Sequence, residues 1–139
     1  MTDRDADRAV LQMRLVVTAP DYDLALAFYR DALGLPELGA FRSPGGRVTI
    51  LDAGRATLEL TDPAHAAYID DVEVGRRVAG HVRVAFEVAD VASVTDRLVE
   101  AGAGLIGAPI ETPWRSRNSR LDGPAGLQLT LFEELDQLG

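Results

Sequence analysis

The apolar pattern starts with a strand. Arg14 to Ala19 encloses Leu15, Val16, Val17 and Thr18, a run of strand length and β-branched content. After Pro20, Asp21 stands where a helix N-cap belongs, and Leu24, Ala27 and Phe28 recur at helical spacing up to Gly34. Three short strands follow, at about Glu37 to Arg42, Arg47 to Asp52 and Ala56 to Thr61. Turn sequences Ser43-Pro44-Gly45-Gly46 and Asp52-Ala53-Gly54 separate them. The same order then begins again. His81 to Val88 reads as a strand, and Asp90 caps a helix whose buried face would carry Val91, Val94, Leu98 and Ala101 before Gly102 ends it. Strands at Leu105 to Glu111, Ser116 to Leu121 and Leu127 to Phe132 complete the second half, with Asp122-Gly123-Pro124 turning between the last two.

Matching the halves gives an offset of 67 from Arg14 to His81, 69 from Asp21 to Asp90, and 71 from Leu58-Glu59-Leu60 to Leu129-Thr130-Leu131. So small a drift indicates a duplicated βαβββ unit. The expected organisation is one domain of class α+β: a first module over residues 12–62, a linker over 63–79 with a single helical turn, and a second module over 80–134.

Strand side chains alternate between faces. Val82, Val84, Phe86 and Val88 should therefore meet a helix while His81, Arg83, Ala85 and Glu87 face away from it. Arg14, Val16 and Thr18 likewise oppose Leu15, Val17 and Ala19, and Glu59 and Thr130 sit on the mixed faces of the fourth strands. With helices on the oily faces, the two mixed faces are free to curve around a shared cleft. A solvated sheet face without a ligand is the plainer alternative.

Composition narrows the chemistry. The chain has 139 residues, 47% of them hydrophobic and 26% charged, and suits a single globular domain. It has no Cys, which removes disulfides, thiolate nucleophiles and cysteine-ligated metals. Its two histidines, His65 and His81, are too few for a three-histidine metal site, and its 14 basic residues are all Arg, so lysine Schiff-base chemistry is out. A net charge of −8 opposes attraction to nucleic acid or anionic membrane. No apolar run has membrane-spanning length, and the start of the chain, with Asp3, Arg4, Asp5, Asp7 and Arg8, lacks a signal peptide's apolar segment. A cytoplasmic protein with a frayed start is expected.

Several stretches resemble the vicinal oxygen chelate superfamily, the glyoxalase, bleomycin-resistance and extradiol-dioxygenase group. They are Asp21, Leu26 and Phe28-Tyr29-Arg30-Asp31-Ala32-Leu33-Gly34-Leu35, then Leu58-Glu59-Leu60, Gly80-His81-Val82, Thr112-Pro113-Trp114 and Asp122-Gly123-Pro124-Ala125-Gly126. The resemblance runs from about Arg14 to Glu134. It implies two βαβββ modules forming curved mixed sheets around a cleft, and a homodimer. In metal-using members the ligands stand at the start of the first strand and in the fourth strand of each module; the matching positions here are Arg14, Glu59, His81 and Thr130.

Only Glu59 and His81 of those four can bind a metal. A guanidinium at Arg14, some 5 Å from a divalent ion, would repel it by about 7 kcal/mol at an effective dielectric near 20. Arg14 can instead neutralise Glu59 through a bidentate pair. The expectation is therefore no metal cofactor, with a divalent ion at Glu59 and His81 as the alternative. Arg83 shares the His81 face, and Asn118 and Arg120 point the same way; these arginines either favour an anionic ligand or pair with Glu87 and Glu59. Trp114 and Phe132 offer flat walls for a ring, whereas His65 in the linker reads as a surface histidine.

Two functions follow from this reading. The first is a metal-independent binding protein for a small organic molecule, aromatic or anionic, of the drug-sequestering kind. The second is a lyase or isomerase using Glu59 and His81, either with a metal or as an acid/base pair. A non-catalytic scaffold with a filled cleft is a third.

Overall fold

A computed structural model describes residues 9–135. The polar start from Asp3 to Arg8 lies outside the described residues. Strand β1 (Gln12–Thr18) leads into α1 (Tyr22–Leu26), which widens into a π-helical turn over Ala27–Ala32. Strands β2 (Glu37–Ser43), β3 (Gly46–Asp52) and β4 (Thr57–Thr61) complete the first module. After α2 (Pro63–Glu73) the second module repeats the order as β5 (Val82–Glu87), α3 (Val91–Glu100), β6 (Gly104–Glu111), β7 (Ser116–Asp122) and β8 (Gln128–Glu134).

The eight strands form one curved, unclosed sheet in the order β2-β3-β4-β1-β5-β8-β7-β6. Each module contributes four adjacent strands, and the modules join within one chain through the antiparallel pair β1–β5. This is the α+β arrangement of two βαβββ modules expected from the repeat. No helix among the described residues is long and apolar enough to cross a membrane.

The convex face carries the oily residues of the strands and two separate cores. Leu51, Leu60, Tyr22 and Leu26 form one under α1, and Val88, Val91, Leu121 and Leu131 form the other under α3. The phase of α1 differs from the sequence expectation. In α1 the buried side is Tyr22 and Leu26, while Leu24 and Phe28 are 66% and 59% exposed. The Tyr22 hydroxyl is hydrogen-bonded to Thr49 and its ring lies beneath Arg47, which pins that side of the helix to β3. In α3 the expected face does turn inward, with Val91 enclosed and Val94 and Leu98 packed against the same core; Thr95 joins it through a 2.8 Å hydrogen bond to Ser119, and only Ala101, the exposed C-cap, departs.

The linker is the larger departure. In place of a single turn it forms the 11-residue helix α2, capped by Asp62, whose carboxylate accepts from His65 N–H at 2.8 Å, and started by Pro63. The helix lies across the sheet like a bar, and two glycines allow it to come so close. A Cβ on Gly46 of β3 would collide with the His65 backbone at one end, and a Cβ on Gly107 of β6 with the Glu73 carbonyl at the other. Both modules are therefore touched by the segment that connects them.

Candidate functional site

A cavity of about 580 Å³ opens on the concave face, between the strands of both modules and α2. That volume lies in the range of small-molecule sites. Arg14 and Val16 of β1, Glu59 and Thr61 of β4, Arg83 and Ala85 of β5, and Thr130 and Phe132 of β8 supply its floor. These are the strand positions that alternation assigns to the mixed face. The predicted residues Trp114 and Asn118 line it as well, with Trp114 41% exposed beside Tyr68 at a ring separation of 6.3 Å.

Strand register revises the match between the modules. Val16 pairs with Glu59 in the first, and Ala85 with Thr130 in the second. Matching Glu59 to Thr130 therefore matches Val16 to Ala85, and Arg14 to Arg83 at an offset of 69 rather than to His81 at 67. His81 lies before β5 begins, is exposed and does not line the cavity; its carbonyl accepts from Thr18 N–H at 2.9 Å. The four equivalent positions on the floor are Arg14, Glu59, Arg83 and Thr130.

Arg14 makes no bidentate pair with Glu59. Its Nη1 is 3.8 Å from Glu59 and its Nη2 3.8 Å from Glu134, its Nε donates to Gln12 Oε1 at 2.7 Å, and the guanidinium lies 4.6 Å over the Phe132 ring. Arg83 donates through Nη1 to Thr130 Oγ1 at 2.7 Å. Burial raises the Glu59 carboxyl above its ordinary value of 4.5 and Glu73 adds to this, whereas Arg14 and Arg83 pull it back only in part.

That shift fixes a sign. A carboxyl raised in the folded state binds its proton more tightly there, so its contribution to stability is full below pH 4.5 and is lost as pH rises through the folded value. Glu59→Gln removes this loss. Urea unfolding of both proteins from pH 4 to 8 should show the variant gaining on the wild type as pH rises; a variant that falls behind would mean that the two guanidiniums outweigh burial.

Arg120 does not reach the cavity. It is fully enclosed, donating to Glu73 Oε1 through Nε and Nη2 at 3.1 and 2.8 Å, and through Nη1 to Asp70 Oδ1 at 2.8 Å and Gln128 Oε1 at 2.7 Å. Its carboxylate partners are thus on α2, in place of the Glu87 and Glu59 expected from sequence. Asn118 belongs to the same network, donating to Glu73 Oε2 at 2.7 Å.

The helix also brings site residues that the sequence reading left out: His65, Tyr68 and Glu73, opposite Phe41 and Ser43 of β2. His65 is 9% exposed instead of lying on the surface, and its Nδ1 is 2.6 Å from Ser43 Oγ. Burial lowers its pKa below the usual histidine value, and Arg83 adds to this against the opposing pull of Asp62. The Asp62-Pro63 pair was the available signal for this helix.

The sequence matches the model of the Glyoxalase/Bleomycin resistance protein/Dioxygenase superfamily over residues 12–131. The chain belongs to this superfamily. Among curated proteins nothing matches. Solved structures with the same fold include methylmalonyl-CoA epimerase from Mycobacterium tuberculosis, at 20% identity and TM-score 0.66, covering 92% of this chain and 91% of that one. A variant of Streptomyces coelicolor methylmalonyl-CoA epimerase in complex with 2-nitronate-propionyl-CoA matches at 21% identity and TM-score 0.64, covering 91% and 95%. A superfamily member from Vibrio splendidus 12B01 matches at 13% identity and TM-score 0.65, covering 88% and 98%. At these identities the likeness is one of fold.

The resemblance implies metal donors at the start of the first strand and in the fourth strand of each module, positions that by strand register are Arg14, Glu59, Arg83 and Thr130. Two guanidiniums, one carboxylate and one hydroxyl do not fit a divalent cation, because the guanidiniums offer no lone pair and repel the ion. Among the described residues no group of three or more His, Asp or Glu could hold one.

Proposed function

We propose that this protein binds a small organic molecule in the cavity between its modules, without a metal ion. The observation carrying this reading is the pair Arg14 and Arg83 at the two equivalent first-strand positions, which turns a cation site into a guanidinium-lined floor. Phe132, Trp114 and Tyr68 add apolar walls, and α2 provides a roof. The acid/base alternative pairs Glu59 with His81, and the exposed position of His81 outside the cavity gives that pair no support.

An uncharged fluorescent probe, N-phenyl-1-naphthylamine, tests the reading without presupposing a ligand charge. One probe per chain is expected to bind with increased emission, equally with and without EDTA. Ala85→Phe, which fills the floor at a buried position, should abolish binding. Absence of wild-type binding, or binding that appears only with added zinc, cobalt or nickel, would overturn it.

A further inference from the structure

The arginines of this chain divide sharply by their partners. Arg14, Arg30, Arg47, Arg117 and Arg120 are all partly or wholly buried, and each has a carboxylate oxygen within 4.0 Å. The arginines without one among the described residues are Arg42, Arg55, Arg76, Arg97 and Arg83. The first four are exposed to water; Arg83 is only partly so. Glu73, Glu59 and Asp70 act on Arg83 from beyond 4.0 Å, yet none pairs with it, and a guanidinium drawn from water without a paired counter-charge is costly.

The donors of Arg83 show where a counter-charge would go. Thr130 Oγ1 takes Nη1 at 2.7 Å and holds the guanidinium against β8, while Nε and Nη2 have no acceptor among the described residues. Neither of these nitrogens is sealed away, since the enclosed side-chain atom without a partner is Thr57 Oγ1. Arg83 lines the cavity, and these two nitrogens keep some exposure there for a bound group to meet. The Nε and Nη2 edge of a guanidinium presents two parallel N–H groups, a fork whose spacing fits the two oxygens of one carboxylate.

We infer that Arg83 is the seat of a carboxylate, and that the ligand class is a monocarboxylate whose flat apolar body runs toward Phe132 and Trp114. The inference rests on the cavity being a ligand site, as proposed above. A single charge is specified because Arg14, the other cation on the floor, already has Glu59 and Glu134 at 3.8 Å each.

Naphthalene-2-carboxylate and naphthalene-2-carboxamide differ in charge and little in shape, and either can be titrated against bound N-phenyl-1-naphthylamine. The wild type is expected to bind the carboxylate more tightly by at least about tenfold, the scale of a charge-assisted pair. In Arg83→Gln the preference should vanish, carboxylate binding falling further than amide binding. If that variant does not fold, Arg83→Lys, which keeps the charge but loses the fork, should retain a reduced preference. Equal wild-type affinities, a preference that survives in Arg83→Gln, or failure of both compounds to displace the probe would overturn the inference. Binding of the probe itself separates any of these from failure of the cavity reading.

Discussion

Arg120→Leu is expected to lower the unfolding free energy by about 3–5 kcal/mol, the scale for removing one partner from a buried ion pair. The guanidinium is fully enclosed and serves two carboxylates one helical turn apart on α2, Asp70 and Glu73, that are themselves 0% and 4% exposed. Leucine would leave both beside an apolar group. Burial by itself works to raise the Asp70 carboxyl, but the amides of Ala79 and Val78 together with Arg120 reverse this and hold it below 3.8. The Asp70 contribution is therefore present above pH 3.8 and is lost as pH falls through the folded value. Without Arg120 the stabilising share of the guanidinium disappears at neutral pH, and the gap between variant and wild type should narrow in acid. Urea midpoints from pH 3 to 7 measure this, and a loss under about 1 kcal/mol at neutral pH would show that the network contributes nothing. Adding Asp70→Asn and Glu73→Gln to Arg120→Leu should recover part of the loss, because the remaining groups are then uncharged. Since α2 roofs the cavity, ligand binding should weaken with stability in the single variant and return in the triple.

The repeated βαβββ order and the mixed strand faces were legible because both depend on local periodicity. Val16, Glu59, Ala85 and Thr130 share a face by alternation alone, and the sheet places them together. Which residue of β5 corresponds to Arg14 was not legible, because it depends on where β4 and β8 sit alongside β1 and β5. A shift of two residues keeps every side chain on its face, so His81 and Arg83 were equally acceptable by phase. Helix α2 has only a weak amphipathic stripe, since its inner side combines His65 and Ala66 with Asp70 and Glu73. Those two carboxylates resemble a solvated face until Arg120, 50 residues beyond Asp70, is folded against them. The exposed side of α1 misled for the opposite reason: Leu24 and Phe28 are apolar and face outward, as a sizeable part of any protein's apolar surface does.

Joining Arg14→His to Arg83→His is expected to create a metal site where the wild type has none. The two imidazoles would stand at the equivalent first-strand positions with Glu59 as a third donor, and the Thr130 hydroxyl, freed from Arg83, would be available to a solvent ligand in the fourth position. Three protein donors with an open position describe an ordinary zinc or cobalt centre. Each substitution also removes a positive charge whose repulsion of a divalent ion some 5 Å away is about 7 kcal/mol at an effective dielectric near 20. Either single variant keeps one such charge and only two donors. Cobalt titration followed by its visible absorption, with elemental analysis after dialysis, should therefore give about one metal per chain for the double variant and almost none for the wild type or either single variant. The same double variant should lose its preference for carboxylate over carboxamide when metal-free, because the fork is gone, and regain an anion preference when cobalt is bound. Stoichiometric metal in the wild type would contradict the guanidinium-lined floor. A folded double variant that takes no metal would instead show that these four positions do not converge closely enough to ligate one, and with that the correspondence of Arg14 with Arg83 would lose its chemical meaning.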